Sequence, residues 1–164
     1  LMEQLKKTVE DSKMFDWVVK VVLGENPNPI SLQRAIAEYI REDLRETTRD
    51  ARADRLRKVF EGMSQQGQKK ILIIMDDVWK EVDLKDIGLA NPLPNGFKLL
   101  FTSRFEYVCT QMGVKTDSII RVGTLSDAEA ETFFFGIVGP FILDGDDLEL
   151  QKVGEDIVKK CGGL

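Results

Sequence analysis

Apolar positions along the chain change period several times, and each change marks an element. Leu1, Met2, Leu5 and Val9 recur at helical spacing, so the chain opens inside an amphipathic helix with no start signal. Asp16–Leu23, DWVVKVVL, is dense in β-branched and aromatic residues and predicts a buried strand, interrupted only by Lys20. GENPNP (Gly24–Pro29) terminates it, since its prolines and asparagines favour turns over ladders. Ser31 is the expected cap of a helix with Leu32, Ala35, Ile36, Tyr39 and Ile40 on one face.

The charged stretch Arg41–Asp54 reads as solvated helix and loop. Leu56, Val59, Phe60 and Met63 then trace another amphipathic helix, closed near Gly67. Strands are predicted over Lys70–Asp76, Phe97–Thr102 and Ser118–Val122, with a short helix at Glu106–Met112. Ser126 and Glu129 stand at capping-box spacing ahead of a stripe made by Ala130, Phe133, Phe134 and Ile137. Leu150, Val153 and Ile157 outline a last helix. Strands alternating with helices imply an α/β fold with a parallel sheet covered on both faces. The helical tail implies a second, smaller subdomain, with the expected division at residues 1–123 and 124–164.

Composition removes many function classes. The chain has 164 residues, 43% of them hydrophobic, enough for a real core. Its net charge of −5 gives nucleic-acid binding no electrostatic support. No apolar run approaches the roughly 18 residues that span a bilayer. Histidine is absent, and Cys109 and Cys161 are far apart, which excludes Ser-His-Asp and Cys-His catalysis and most zinc sites. A reducing compartment is expected.

The chemistry concentrates in KKILIIMDDVW, Lys69–Trp79. Adjacent carboxylates behind an apolar strand repel each other unless a cation or donors accompany them. Ligands gather at the carboxyl ends of parallel strands, and Asp76 and Asp77 stand at such an end. One carboxylate there can hold Mg²⁺ and the second can polarise a water. Alternatively, Asp77 starts a turn while Asp76 accepts backbone N–H groups; the segment alone fits both readings. Thr102, Ser103 and Arg104 end the next strand on the same sheet edge, where an arginine can read a phosphate or simply begin a helix. Trp79 reads as a packed aromatic.

A Walker A loop, the usual partner of such a pair, has only one near match, GMSQQGQKK at Gly62–Lys70. Gln68 occupies the lysine position, and the stretch follows a helix and precedes a strand, so no helix N-terminus backs it. It is a loop. A bacterial receiver domain also carries an acidic pair, but its phosphorylatable aspartate has no counterpart here beyond Asp117 and Asp127, which stand at a strand start and a helix cap.

With these pieces in order, the chain resembles the NB-ARC domain of plant nucleotide-binding leucine-rich-repeat disease-resistance proteins. The resemblance rests on FDWVVKVVL (Phe15–Leu23), ILIIMDDVW (Ile71–Trp79), KLLFTSR (Lys98–Arg104), LSDAEAETFF (Leu125–Phe134) and CGGL (Cys161–Leu164), in the family's order. Trp79 after DDV points to the non-TIR, coiled-coil class. The resemblance implies a P-loop NTPase sheet of the STAND type, and both ends read as cut, so the expectation is an internal fragment lacking the central P-loop strand. Strands 16–22, 70–76 and 97–102 would then be contiguous, with strand 118–122 across a gap of about 10 Å.

The same resemblance implies an ADP/ATP switch with Mg²⁺, weak ATPase activity in the parent family and an inactive isolated fragment. Asp76 would take the Mg²⁺ role, Asp77 the water-activating role and Arg104 the γ-phosphate sensor. Thr102 and Ser103 would neighbour the phosphates, and Gly163 and Leu164 the base. Implied partners are the nucleotide, coiled-coil and leucine-rich-repeat domains, and further copies on activation, in the cytoplasm. The competing function is a scaffold with a degenerate nucleotide site.

Overall fold

Three parallel strands form the centre of the computed structural model, which describes residues 2–142 and 148–164. They are β1 (Trp17–Gly24), β2 (Ile71–Val78) and β3 (Phe97–Phe101), in the order β1-β2-β3. Trp17 pairs with Ile71 and Met75 with Phe101, so the first two expected segments and the third lie side by side. Middle strand β2 is buried on both faces from Ile71 to Met75, which is why ILIIM carries no alternation.

Period-two alternation sorts the side chains onto two layers. Val19, Val21, Ile71, Ile73 and Met75 face α2 (Pro29–Ile40) and α3 (Arg49–Ser64), meeting Leu32, Ile36, Leu56 and Phe60. Leu72 and Ile74 face the opposite way, against Met2 and Val9 of α1 (Met2–Ser12). Leu1 of the expected stripe lies outside the described residues. Buried Gln33 ties the first layer together: its Nε2 donates to Arg49 O at 2.8 Å and to Asp86 O at 2.6 Å.

Two local expectations change. The cap of α2 is Asn28, not Ser31: Asn28 Oδ1 accepts the Ile30 N–H at 2.9 Å and Pro29 takes the first helical position. Proline there has no N–H to leave unsatisfied and a φ already suited to a helix, which moves the start upstream. The predicted strand over Ser118–Val122 does not form; Thr116–Ser118 is a single 3₁₀ turn and the residues after it pair with no strand. Ile120 is 85% exposed and Val122 72% exposed, so their β propensity has no ladder or buried face to complete. The expected gap between flanking strands is therefore absent, because only three strands form among the described residues.

Gly62–Lys70 forms the end of α3 and a turn, in which Ser64 O accepts the N–H groups of Gly67 and Lys69, each at 3.0 Å. These donors are consumed internally, as a loop requires. A short helix, α4 (Glu106–Gln111), follows β3.

Contacts divide the chain into two compact units, Leu1–Ile119 and Ile120–Leu164. The second unit contains α5 (Asp127–Ile142) and α6 (Leu148–Cys161). The capping box at its entry forms as expected: Glu129 Oε2 accepts the Ser126 N–H at 2.9 Å, and Glu129 N donates back to Ser126 Oγ at 3.4 Å. The Ser126 hydroxyl also donates to this carboxylate, and that bond holds Glu129 below the ordinary carboxylate range. The stripe of α5 is only partly covered, with Phe133 63% and Ile137 60% exposed.

Candidate functional site

Asp76 and Asp77 stand just before Val78 at the carboxyl end of β2, and Thr102, Ser103 and Arg104 immediately follow β3. Parallel pairing of the two strands brings the two groups together. Thr102 N donates to Met75 O at 3.0 Å and Val78 N to Thr102 O at 2.8 Å, extending the ladder past the last paired residues. Within that frame Thr102 Oγ1 donates to Asp76 Oδ1 at 2.7 Å and accepts the Asp77 N–H at 2.9 Å.

Between the two carboxylates the backbone kinks, while β2 runs on to Val78 opposite Gly24. Asp77 has φ +57°, the left-handed region, which aspartate tolerates better than β-branched residues. The twist sends its side chain toward Arg104, whose Nε stands 3.7 Å from Asp77 Oδ1. The Arg104 guanidinium lies 4.9 Å from the centre of the Trp79 ring, and Trp79 packs edge-on against Phe105 at 5.6 Å. Trp79 is thus both a packed aromatic and the platform under Arg104. Ser103 turns back on the chain: its Oγ accepts the Phe105 N–H at 3.1 Å, closing the approach to α4.

Lys20 of β1 belongs to this cluster and was not among the residues expected there. Its Nζ lies 3.7 Å from Asp76 Oδ2 and hydrogen-bonds Glu3 of α1. That bond to Glu3 holds the ammonium above the ordinary lysine value, and the same bond from Lys20 holds the Glu3 carboxyl below its ordinary one. The signal was legible: Lys20 is the sole charge inside WVVKVVLG.

Gly163 and Leu164 lie in the second unit. Gly163 has φ +77°, its carbonyl accepts the Leu125 N–H at 2.8 Å, and an added Cβ would meet Leu125 O at 2.2 Å. Only glycine fits there. Leu164 is almost fully exposed.

No group of three or more His, Cys, Asp or Glu among the described residues could hold a metal ion by itself. The Asp76 carboxylate is a hard oxygen donor of the kind that suits Mg²⁺, which keeps several waters and takes further ligands from phosphates. Asp76, with Oδ2 free of any short hydrogen bond, is the residue that would hold it. No described helix is long and apolar enough to cross a membrane.

The NB-ARC domain model matches residues 1–142, most of the chain. The chain belongs to the NB-ARC domain family. This family is a nucleotide-binding one, and its α/β fold is the one described above. Similar proteins include a probable disease resistance protein of Arabidopsis thaliana, 31% identical over 154 residues, which cover 92% of this chain and 16% of that protein. A second from the same plant is 32% identical over 100% of this chain and 18% of its own length. A third is 33% identical over 100% of this chain and 19% of its own length. This NB-ARC chain therefore spans less than a fifth of the length of these relatives.

Proposed function

We propose that this chain is part of an ADP/ATP-dependent switch in an intracellular plant immune receptor that mediates defence signalling. One observation carries the reading: Asp76, Asp77, Thr102 and Arg104 converge at the carboxyl ends of two adjacent parallel strands, within an NB-ARC domain. The relatives' names supply the physiological side, disease resistance.

Each residue then has a task. Asp76, oriented by the Thr102 hydroxyl, holds Mg²⁺. The bound ion would neutralise phosphate charge and order the phosphate oxygens. Asp77, on its left-handed turn, orients and polarises a water. Arg104 reads a γ-phosphate: its exposed pair with Asp77 is weak, so an incoming phosphate can take the guanidinium while Trp79 keeps it in place. Thr102 and Ser103 border the phosphates. Coiled-coil and leucine-rich-repeat domains of the same polypeptide, and further copies of it on activation, would be the partners that respond, in the cytoplasm.

A scaffold reading competes, favoured by exposed apolar side chains of the second unit such as Phe133, Ile137 and Val153. Titration with ADP and with ATP, each with Mg²⁺, on the receptor carrying this domain separates the two. The switch reading expects binding that is abolished by Asp76→Ala, and an Arg104→Ala variant that loses its discrimination between ATP and ADP. Binding indifferent to both substitutions would leave the scaffold.

A further inference from the structure

A lysine inside an apolar strand demands an explanation. The Lys20 side chain is only 12% exposed, on a β1 otherwise made of valines, leucine, tryptophan and a terminal glycine. Removing an ammonium from water is costly unless anions replace the hydration. Two do: Glu3, which is 78% exposed, and Asp76, at 3.7 Å. The stem of the lysine is largely covered, while its ammonium meets Glu3 at the surface.

The arrangement leaves Asp76 with two dissimilar oxygens. Oδ1 is committed to the Thr102 hydroxyl at 2.7 Å. Oδ2 faces Lys20 at a distance of 3.7 Å, close enough for strong Coulomb attraction and too far for a hydrogen bond. Its lone pairs stay open to another ligand, but any cation arriving there meets a fixed positive charge.

We propose that Lys20 is the built-in counter-cation of Asp76, a positioning residue that orients this carboxylate and sets how strongly it draws a divalent cation. Glu3 is the third member and moderates it by sharing the ammonium. The triad of Glu3, Lys20 and Asp76 carries a net charge of about −1; without Lys20 it carries about −2, and without Glu3 about zero. Divalent affinity should therefore move in opposite directions for the two changes. This rests on Asp76 being the cation-binding carboxylate, as proposed above.

The test is a Mn²⁺ titration, with free Mn²⁺ read by electron paramagnetic resonance, on the receptor carrying this domain. Lys20→Met should tighten Mn²⁺ binding about tenfold, and Lys20→Arg should leave it within about twofold of the parent. Glu3→Gln should weaken it about threefold, a smaller effect because Glu3 is solvent-screened. A merely structural Lys20 would not produce opposite signs. Unchanged or weaker binding in Lys20→Met, with Asp76→Asn still weakening it, overturns the inference. If Lys20→Met fails to fold, Glu3→Gln decides alone, and unchanged or tighter binding there overturns it. Mn²⁺ affinity indifferent to Asp76→Asn would instead sink the Asp76 reading itself.

Discussion

Thr102 and Asp76 come from different strands, yet a hydroxyl–carboxylate bond of 2.7 Å joins them, and the same hydroxyl oxygen accepts the N–H of Asp77. One side chain therefore both orients the first carboxylate and supports the left-handed backbone at the second. Thr102→Val keeps the shape and removes both bonds. It should cost about 1–2 kcal/mol, as expected for losing one hydrogen bond and leaving a partly buried donor unpaired. Thr102→Ser should retain most of that stability. Urea denaturation of the three proteins checks it.

Asp77 occupies left-handed backbone at φ +57°, so its substitutions should sort by conformational tolerance. Asp77→Asn and Asp77→Gly should stay within about 1 kcal/mol of the parent, while Asp77→Val should lose about 1–2 kcal/mol. Asp77→Asn is thus the substitution that separates chemistry from folding. In the receptor it should abolish ATP turnover with an unchanged melting temperature. Turnover that survives in this variant would remove Asp77 from the water-activating role.

Arg104 should matter little for stability. Its side chain is 70% exposed and its contacts are one long ion pair and one aromatic face. Arg104→Ala should cost under about 1 kcal/mol by chemical denaturation. Trp79→Ala, which removes the platform as well as the contact with Phe105, should be more destabilising, and should weaken ATP binding more than ADP binding. Equal loss for both nucleotides would show that the stack does not serve the γ-phosphate.

Gly163→Ala should be severe within the second unit, because the new Cβ would fall 2.2 Å from Leu125 O at a positive φ. A loss of more than about 2 kcal/mol is expected, together with loss of hydrogen-exchange protection at the Leu125 N–H. Gly162→Ala, with open space around its Cβ, should be milder despite its own φ of +57°.

Acid should act through Asp16. The Lys69 ammonium, first, and the Lys70 N–H hold its carboxyl below the ordinary 3.8, at 2.9 Å and 2.8 Å respectively. A lowered folded value means stability that is present above 3.8 and lost as pH falls through the folded value. Asp16→Asn should therefore be less stable than the parent near neutral pH and converge on it at low pH. Parallel denaturation curves at all pH values would contradict this.

Much of the site was legible in KKILIIMDDVW and FTSR, because a strand-terminal carboxylate pair and a following strand end have few employers in a parallel sheet. Their mutual bonds were not legible: nothing in the spacing of Asp76 and Thr102 says which hydroxyl meets which oxygen. Lys20 was visible as an interruption of an apolar run but had no assigned partner, since Glu3 and Asp76 reach it from two other elements. The strand expected at Ser118–Val122 failed for a similar reason, as a strand depends on a neighbour that local propensity does not supply.

By itself the sequence determined the helices, the three parallel strands that form and the family, and it singled out Asp76 and Asp77 as candidates, because periodicity and motif order are properties of the chain alone. Only the tertiary structure decided that Thr102 bridges both aspartates, that Trp79 carries Arg104, and that a lysine from the adjacent strand opposes Asp76. Those relations depend on register between strands, and charges brought together in that way interact according to distance rather than sequence separation.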